Sequence, residues 1–207
     1  MKKGIIFAGG EFSAPCDFDK LINEDYIIVC ADSGYDSACE FGVVPDVIIG
    51  DMDSVKEKLP SSVKQIKLNC EKDDTDTEAC INYLISVGCR EIVLLGALGG
   101  RADHELANIM LTVYAAKRGA RLVLKNADTE IFLVDGYTEV TGKKGDWLSL
   151  VPVLADAEGV TLSGLKYLLR DATLEVGKTV GISNEFVSEK VSLTVKKGFI
   201  IAIKTKR

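Results

Sequence analysis

Residues 26–36 read YIIVCADSGYD, and residues 46–54 read DVIIGDMDS. Each stretch is a short apolar, mostly β-branched run that ends at acidic residues, Asp32 in the first and Asp51 and Asp53 in the second. A run that is apolar on both faces is typical of a central parallel strand covered by helices on each side. The two stretches therefore predict buried parallel strands that carry carboxylates at their ends.

The same pattern continues to about residue 126. Further apolar runs cover residues 4–8, 63–68, 91–95 and 121–125, and amphipathic stretches at residues 75–87 and 105–118 predict helices. Thr75 and Glu78 form a capping box before the first helix, and Gly88 and Gly119 follow the two helices. The residues expected to face inward in the second helix are Leu106, Ile109, Met110, Val113 and Tyr114. Residues 1–127 are thus predicted to form a doubly wound, mostly parallel sheet with helices on both faces.

The pattern changes after Asp128. Short strand-like runs replace the helical period, and turn residues separate them, which is typical of an antiparallel sandwich. The runs are residues 130–134, 147–153, 173–176, 190–195 and 199–204. Residues 128–207 are therefore predicted to form a second, all-β domain, a C-terminal antiparallel β-sandwich.

Composition limits the possible partners and location. The net charge of −6 over 207 residues argues against a nucleic-acid binder, because such proteins usually carry a basic surface. Six cysteines without a C-x-x-C pair, together with a single histidine, favour reduced thiols in a cytoplasmic protein. The apolar run in MKKGIIFAGG is too short for a signal sequence or a membrane span. We expect a soluble protein without a membrane partner.

Three acidic clusters lie where strands are predicted to end. Asp32 follows the second strand, Asp51 and Asp53 the third, and the KDDTD group with Asp73, Asp74 and Asp76 the fourth. Ligands of open parallel sheets bind beyond the carboxyl ends of the strands. Carboxylates gathered beside a hydrophobic sheet need a neutralising cation, and oxygen-only ligands suit Mg²⁺ carrying substrate phosphates. The clusters therefore predict a metal and polyphosphate site.

Simpler roles remain open for the same residues. Asp53 or Ser54 could cap the segment that follows, and Asp32 could be an ordinary turn residue. The carboxylates of the KDDTD group lie near a predicted helix N-terminus, where their negative charge interacts favourably with the helix dipole. Asp73 or Asp74 could thus be solvated or capping only.

The stretch LLGALGGRADHELAN, residues 94–108, supplies complementary features. Its glycines allow a ligand close to the backbone, Arg101 can form a fork with phosphate oxygens, and Asp103 and His104 open a helix. The alternatives are a helix cap for Asp103 and a structural hydrogen bond for His104. The sequence has no G-x-x-x-x-G-K-[ST] motif and no G-x-G-x-x-G after the first strand, which excludes a P-loop nucleoside triphosphatase and an ordinary NAD enzyme.

The ordered set of motifs resembles the thiamin pyrophosphokinase family. The motifs are ADSGYD, PDVIIGDMDS, KDDTDTE, LGALGGRADH, GLKY and GISNEF, and they span nearly the whole chain. The resemblance implies a thiamine diphosphokinase that moves the pyrophosphoryl group of ATP to the hydroxyl of thiamine, giving thiamine diphosphate and AMP with Mg²⁺. It also implies a homodimer with active sites at the subunit interface.

Site residues follow from the resemblance, motif by motif. Mg²⁺ would be held by Asp32, Asp51, Asp53 and Asp76. ATP would contact Gly9, Gly10, Asp32, Ser33, Asp73, Thr75, Arg101 and His104. Catalysis would involve Asp51, Asp53, Asp76, Arg101 and Asp103. Thiamine would contact Asp103, Tyr167, Ser183 and Asn184, with Tyr167 as a plain core aromatic left as the alternative.

Two departures from the family pattern stand out. Met52 replaces a phenylalanine that is usual in the motif, and Leu168 stands where proline is common, which puts the local backbone at Tyr167 in doubt. Two other functions remain open. One is a Mg²⁺-dependent phosphohydrolase or nucleotidyltransferase, which would use the same aspartates and act without thiamine. The other is a regulatory module that binds ATP without turnover, contacts a partner protein through its β domain, and would keep its function when Asp51 or Asp53 is replaced.

Overall fold

The computed structural model describes residues 2–15, 17–23, 25–69 and 74–207. The chain divides into two compact units, residues 1–127 and 128–207.

The first unit is built on six parallel strands. Its elements in chain order are β1 (Lys2–Phe7), α1 (Phe18–Asn23), β2 (Tyr26–Ala31), α2 (Gly34–Glu40), β3 (Val47–Gly50), β4 (Lys64–Lys67), α3 (Asp76–Ser86), β5 (Cys89–Leu95), α4 (Ala102–Ala116) and β6 (Arg121–Lys125). The strand order is β4-β3-β2-β1-β5-β6, and every neighbouring pair is parallel. The chain builds outward from β1 to β4 and then returns to the other side of β1. The topology therefore reverses between β1 and β5.

The two faces of this sheet bury alternate residues of the same strands. Ile5 and Phe7 of β1 belong to a core cluster that includes Phe18 of α1 and Tyr35 of α2. A methyl group added at Gly4, on the opposite face, would lie 2.6 Å from Leu84 of α3. Since a strand points successive side chains to opposite faces, α1 and α2 cover one face and α3 covers the other. This arrangement confirms the predicted doubly wound unit.

Both predicted helices form, with small differences. Thr75 caps α3, its hydroxyl accepting a hydrogen bond from the backbone N–H of Glu78 at 3.2 Å, as the capping pattern predicts. α4 begins at Ala102, three residues before its predicted start. The prediction that Leu106 faces inward is wrong, because its side chain is 63% exposed. Val113 is buried, as predicted, and the helix also buries Leu111 and Ala115, which lie four residues apart on one face.

The second unit is antiparallel, as predicted. Its strands are β7 (Thr129–Val134), β8 (Tyr137–Thr141), β9 (Trp147–Ser163), β10 (Ala172–Leu174), β11 (Asn184–Glu185), β12 (Lys190–Thr194) and β13 (Lys197–Thr205). β13 pairs with β7 and with the first half of β9, whereas the end of β9 pairs with β12, which in turn pairs with β8. The two parts of one long strand thus pair with different neighbours, and all of these pairings are antiparallel, in keeping with the predicted fold class. The positive φ of 67° at Leu154 and at Gly159 marks the bends that let the strand change neighbours.

Across the described residues, every helix is too short or too polar to span a bilayer. Four cysteines in this part of the chain, Cys30, Cys39, Cys80 and Cys89, are free thiols.

Candidate active site

A cavity of about 830 Å³ opens at the point where the strand order of the first unit reverses. Its lining includes the residues that follow β1, β2 and β5, together with the start of α3 and the first turns of α4. The loops after β1 and β5 are joined, because the N–H of Gly10 donates to the carbonyl of Gly96 at 2.9 Å. A crevice at such a reversal is the usual ligand site of open α/β sheets. The predicted ATP positions in its lining are Gly9, Gly10, Asp32, Ser33, Thr75, Arg101 and His104.

Three carboxylates meet beside this cavity. Oxygen atoms of Asp32, Asp51 and Asp53 all lie within 4.8 Å of one another. Asp32 and Asp51 are half-buried and Asp53 is exposed, so the cluster remains open to solvent on one side. Oxygen ligands at this spacing, with room for further ligands, fit a hard divalent cation such as Mg²⁺, which usually retains waters and substrate phosphates. The donor set therefore fits the cation expected from the sequence.

The backbone that carries these carboxylates is strained. Asp32 has a φ of 46° and Met52 a φ of 68°, in the left-handed region that residues with side chains rarely adopt. The two loops fix one another, since the N–H of Met52 donates to Asp32 Oδ1 at 3.1 Å and the N–H of Asp32 donates to the carbonyl of Ile49 at 2.9 Å. Such strain persists only where the surroundings enforce it, and it concentrates at functional sites.

Burial and neighbouring charge act on Asp32. Burial is the largest cause that raises the pKa of Asp32 above its ordinary value, and the charges of Asp76 and Asp51 raise it further. Hydrogen bonds from Ser54 and from the backbone of Ser33 lower the pKa in part. The ionised carboxylate is thus held where its charge is unfavourable. A bound cation would remove that penalty.

The fourth predicted metal ligand stands slightly apart. Asp76 is the first residue of α3, lines the cavity and is close enough to raise the pKa of Asp32, although it lies outside the cluster of three. Asp74 is exposed. Asp73, predicted to contact ATP, lies outside the described residues.

The glycine-rich loop after β5 leads to an ion pair at the cavity. Arg101 is the N-cap residue of α4, and its guanidinium makes two hydrogen bonds with Asp103, at 2.7 and 3.2 Å. Asp103 lies inside the first turn, so the alternative that it caps the helix is wrong. The exposed fractions of the two side chains, 75% and 64%, leave them accessible to a ligand. The pair lowers the pKa of Asp103 through the hydrogen bond from Arg101.

Two further residues hold this loop, and the sequence reasoning missed both. Glu105 accepts a hydrogen bond from the N–H of Gly99 at 3.3 Å, and Asn108 donates to the carbonyl of Ala97 at 3.1 Å. Their position one turn apart, near the start of the helix after the glycines, was the available signal. Both bonds fix the loop against α4, which orients its backbone beside the cavity.

The predicted thiamine-contact residues of the second unit come together. Asn184 is buried, with 5% of its surface exposed. Its Oδ1 accepts a hydrogen bond from the N–H of Tyr167 at 2.9 Å, and its Nδ2 donates to the carbonyl of Tyr167 at 2.7 Å. Tyr167 is 63% exposed, so the alternative that it is a core aromatic is wrong. Ser183 is exposed, has a φ of 56°, and donates its N–H to the hydroxyl of Ser149 at 2.9 Å. The amide of Asn184 is therefore occupied by the chain itself, while Tyr167 and Ser183 are open to solvent.

Comparison with known proteins identifies the family. A profile of the thiamin pyrophosphokinase catalytic domain matches residues 18–124, and one of the thiamin pyrophosphokinase vitamin B1 binding domain matches residues 137–200. The chain belongs to the thiamin pyrophosphokinase family. The resemblance drawn from the motifs is confirmed. Thiamine pyrophosphokinases convert thiamine to thiamine diphosphate with ATP, so the predicted reaction is confirmed at the level of the family.

Relatives of this chain include proteins from bacteria and plants. Thiamine pyrophosphokinase of Bacillus subtilis is 28% identical over 212 residues, covering 99% of both chains. Its crystal structure superimposes with a TM-score of 0.91 at 26% identity, again covering 99% of each. Thiamine pyrophosphokinase 1 of Oryza sativa subsp. japonica is 30% identical over 167 residues, which is 72% of this chain and 62% of the plant protein. The similarity to the bacterial enzyme thus extends over both units.

Proposed function

We propose that this thiamin pyrophosphokinase requires Mg²⁺ and transfers the intact pyrophosphoryl group of ATP to the hydroxyl oxygen of thiamine, releasing AMP. The observation that carries this proposal is the meeting of Asp32, Asp51 and Asp53 within 4.8 Å beside the cavity at the strand reversal. A phosphate-binding site without a cation has no need of three adjoining carboxylates, because their repulsion disfavours a polyanion.

Asp32, Asp51 and Asp53 would bind the cation. Asp76 would be either a further ligand or a neighbour that orients one of these three ligands. When bound, Mg²⁺ would neutralise negative charge on the phosphate oxygens. The protein itself would position the polyphosphate of ATP. The loops at Gly9–Gly10 and at residues 96–100 allow the polyphosphate to approach the backbone, and ATP is proposed to lie along them.

Arg101 is proposed to bind phosphate after leaving Asp103. Exposed ion pairs contribute little to stability, so the guanidinium can exchange the carboxylate for phosphate oxygens at low cost. After this exchange, Asp103 would no longer be paired with the guanidinium of Arg101. Asp103 is then proposed to accept a hydrogen bond from the thiamine hydroxyl and orient it for attack.

The proposed step breaks one bond and forms one. The hydroxyl oxygen of thiamine bonds to the β-phosphorus of ATP, the bond from that phosphorus to the oxygen bridging to the α-phosphate breaks, and AMP leaves. The hydroxyl proton departs with solvent or through Asp103. In the second unit, Tyr167 would offer its ring face to the cationic heterocycle, and Ser183 a hydrogen bond, while Asn184 holds Tyr167 in place.

Assembly and location belong to the proposal as well. We propose a homodimer in the cytoplasm in which thiamine lies between two subunits. Its test is the molar mass in solution measured by light scattering at several protein concentrations. A single mass of one chain under assay conditions would contradict the dimer.

The reaction is tested by product analysis. Purified protein is incubated with ATP, Mg²⁺ and thiamine, and the products are separated by chromatography. AMP and thiamine diphosphate in equal amounts are expected, with no AMP when thiamine is left out. ADP with thiamine monophosphate, or nucleotide release without thiamine, would contradict the proposed transfer and favour the hydrolase alternative.

A further inference from the structure

The segment after the carboxylate cluster has no regular structure of its own. Residues 51–63 lie outside every helix and strand, and they begin with Asp51, the left-handed Met52 and Asp53. A loop with a strained residue needs contacts that hold it. Otherwise Asp51 and Asp53 would not keep a fixed place relative to Asp32.

Asp36 supplies such contacts. Its Oδ1 accepts hydrogen bonds from the N–H of Lys56 at 3.1 Å and of Glu57 at 3.0 Å, and its Oδ2 lies 3.1 Å from the N of Lys56. These bonds join residues 20 and 21 positions apart in the chain. A carboxylate that accepts backbone N–H groups forms the stronger, charge-assisted type of hydrogen bond.

Asp32 and Asp36 hold the two ends of the same segment. Both belong to the motif ADSGYD, and Asp32 accepts the N–H of Met52 while Asp36 accepts those of Lys56 and Glu57. The segment between, which contains Asp53 and Ser54, is therefore tied at both ends to the start of α2.

Helix α2, which carries Asp36, is itself held in place by close packing. Gly34, Tyr35 and Ala38 of α2 are buried, and a methyl group added at Gly34 would lie 2.6 Å from the carbonyl carbon of Phe7. α2 therefore sits in backbone contact with the end of β1, which borders the cavity. A helix packed so closely can transmit its position to the loop.

We propose that Asp36 is a positioning residue that sets the cation affinity of the site by fixing the segment from Met52 to Glu57. The proposal rests on the proposed Mg²⁺ dependence of the reaction. Residues that orient metal ligands typically change metal affinity by about 10- to 100-fold when they are replaced.

The test compares three variants with the wild type. Asp36→Ala removes the anchor, Asp36→Asn keeps one acceptor oxygen, and Asp46→Ala is the matched control. Asp46 also accepts a backbone N–H, that of Ile28 at 2.8 Å, and it precedes β3 whereas the cluster follows it. Two quantities are measured: the Mg²⁺ concentration that gives half-maximal rate, and hydrogen exchange of residues 52–57 in the metal-free protein.

Asp36→Ala is expected to raise the half-saturating Mg²⁺ concentration by about 10-fold or more, with the KM for thiamine unchanged, and to speed exchange at residues 52–57. Asp36→Asn is expected to recover part of both effects, and Asp46→Ala to leave both as in the wild type. An equal Mg²⁺ requirement in all variants would overturn the proposal, and so would an equal rise in the Asp46 control, since it would mark a general loss of stability.

Failure of the proposed function is recognised separately. If the wild type forms no thiamine diphosphate, the proposed function is wrong. The exchange measurement still decides the anchoring role, because it needs neither metal nor turnover. Unchanged exchange at residues 52–57 in Asp36→Ala would then reject it.

Discussion

Asp32 combines two properties that oppose one another. It is partly buried beside Asp51 and Asp53, which disfavours its charge, yet the charge is what a divalent cation needs. Because the folded-state pKa is raised above the unfolded value, proton binding favours the folded chain. That contribution is fully present below the ordinary pKa of an aspartate and is lost as the pH rises through the raised value. Above that raised value the metal-free protein therefore carries the penalty.

Asp32→Asn tests this balance. The amide oxygen can still accept the N–H of Met52, so this loop contact survives while the charge is removed, although the amide nitrogen cannot accept hydrogen bonds from Ser54 or Ser33 as a carboxylate oxygen does. We expect the Tm of the metal-free protein at pH 7 to rise, and kcat with Mg²⁺ to fall by about 100-fold or more. Thermal melts with EDTA and steady-state rates measure the two effects. A lower Tm together with an unchanged rate would contradict both halves of the account.

Asn184 provides a second test at this scale. Removing its amide in Asn184→Ala leaves the N–H and carbonyl of Tyr167 without their partner, and each lost hydrogen bond costs about 0.5–1.5 kcal/mol. We expect a matching loss in the free energy of unfolding and a higher KM for thiamine, with the KM for ATP unchanged. Ser183→Ala is the comparison, since it should raise the KM for thiamine without the loss of stability. Equal stability of the Asn184 variant and the wild type would show that the bonds do not hold Tyr167.

Among the elements, α2 packs closely against the end of β1, and the proposed anchoring of the loop by Asp36 depends on this packing. A methyl group on Gly34 would meet backbone atoms of Phe7 and Ala8, the carbonyl carbons at 2.6 and 3.0 Å, and backbone cannot move aside as a flexible side chain does. We expect Gly34→Ala to lower the free energy of unfolding by about 1–3 kcal/mol and to raise the half-saturating Mg²⁺ concentration. Urea unfolding and Mg²⁺ titration of the rate measure these changes.

Gly136→Ala is the control for that substitution. Nothing lies within 4 Å of a methyl group at Gly136, so its effect should stay within about 0.5 kcal/mol of the wild type. If Gly34→Ala is as mild as the control, α2 is not closely packed on β1 and the anchoring of the loop through α2 fails.

The apolar runs and the amphipathic stretches of the sequence predicted most of the strands and the two longer helices. Close to their predicted bounds the structure has strands β1 to β6, helices α3 and α4, and strands β7, β12 and β13. The helices α1 and α2 were missed, since six or seven residues give too few turns for a helical period to be visible. The predicted strand at residues 147–153 continues to Ser163 in the structure, and it passes through two residues with positive φ, Leu154 and Gly159. The sequence analysis did not predict this continuation.

The site was predictable in its residue types but not in its contacts. Aspartates at strand ends indicated the cluster, since parallel strands bring their carboxyl ends to one edge. The roles of Asp36 and Asn184 depend on hydrogen bonds between segments 17 to 21 residues apart. The periodicity of apolar residues within one segment does not predict hydrogen bonds between segments that far apart in the sequence. The ion pair between Arg101 and Asp103 could not be predicted either, because the sequence does not show which carboxylate the guanidinium contacts in the folded chain.

For the whole molecule, ligand binding should appear as stability. A ligand that binds only the folded state at 100 times its Kd stabilises it by about 2.7 kcal/mol, which for a chain of this size corresponds to roughly 5–10 °C in Tm. We expect that shift from Mg²⁺ together with a non-hydrolysable ATP analogue, and its loss when EDTA is added. Asp51→Asn is the control that should show little of it. An equal shift with and without the metal would place nucleotide binding elsewhere than at the carboxylate cluster.

We propose that Asp32, Asp51 and Asp53 together hold one divalent cation that carries the polyphosphate. Crystals grown with Mn²⁺ and a non-hydrolysable ATP analogue test this arrangement, because Mn²⁺ can be located by its anomalous scattering. We expect an anomalous peak at coordination distance, about 2.0–2.3 Å, from carboxylate oxygens of these residues, and we expect the ion to be bonded also to phosphate oxygens. A nucleotide bound with no peak at the three carboxylates, or a peak bound by other residues, would contradict it.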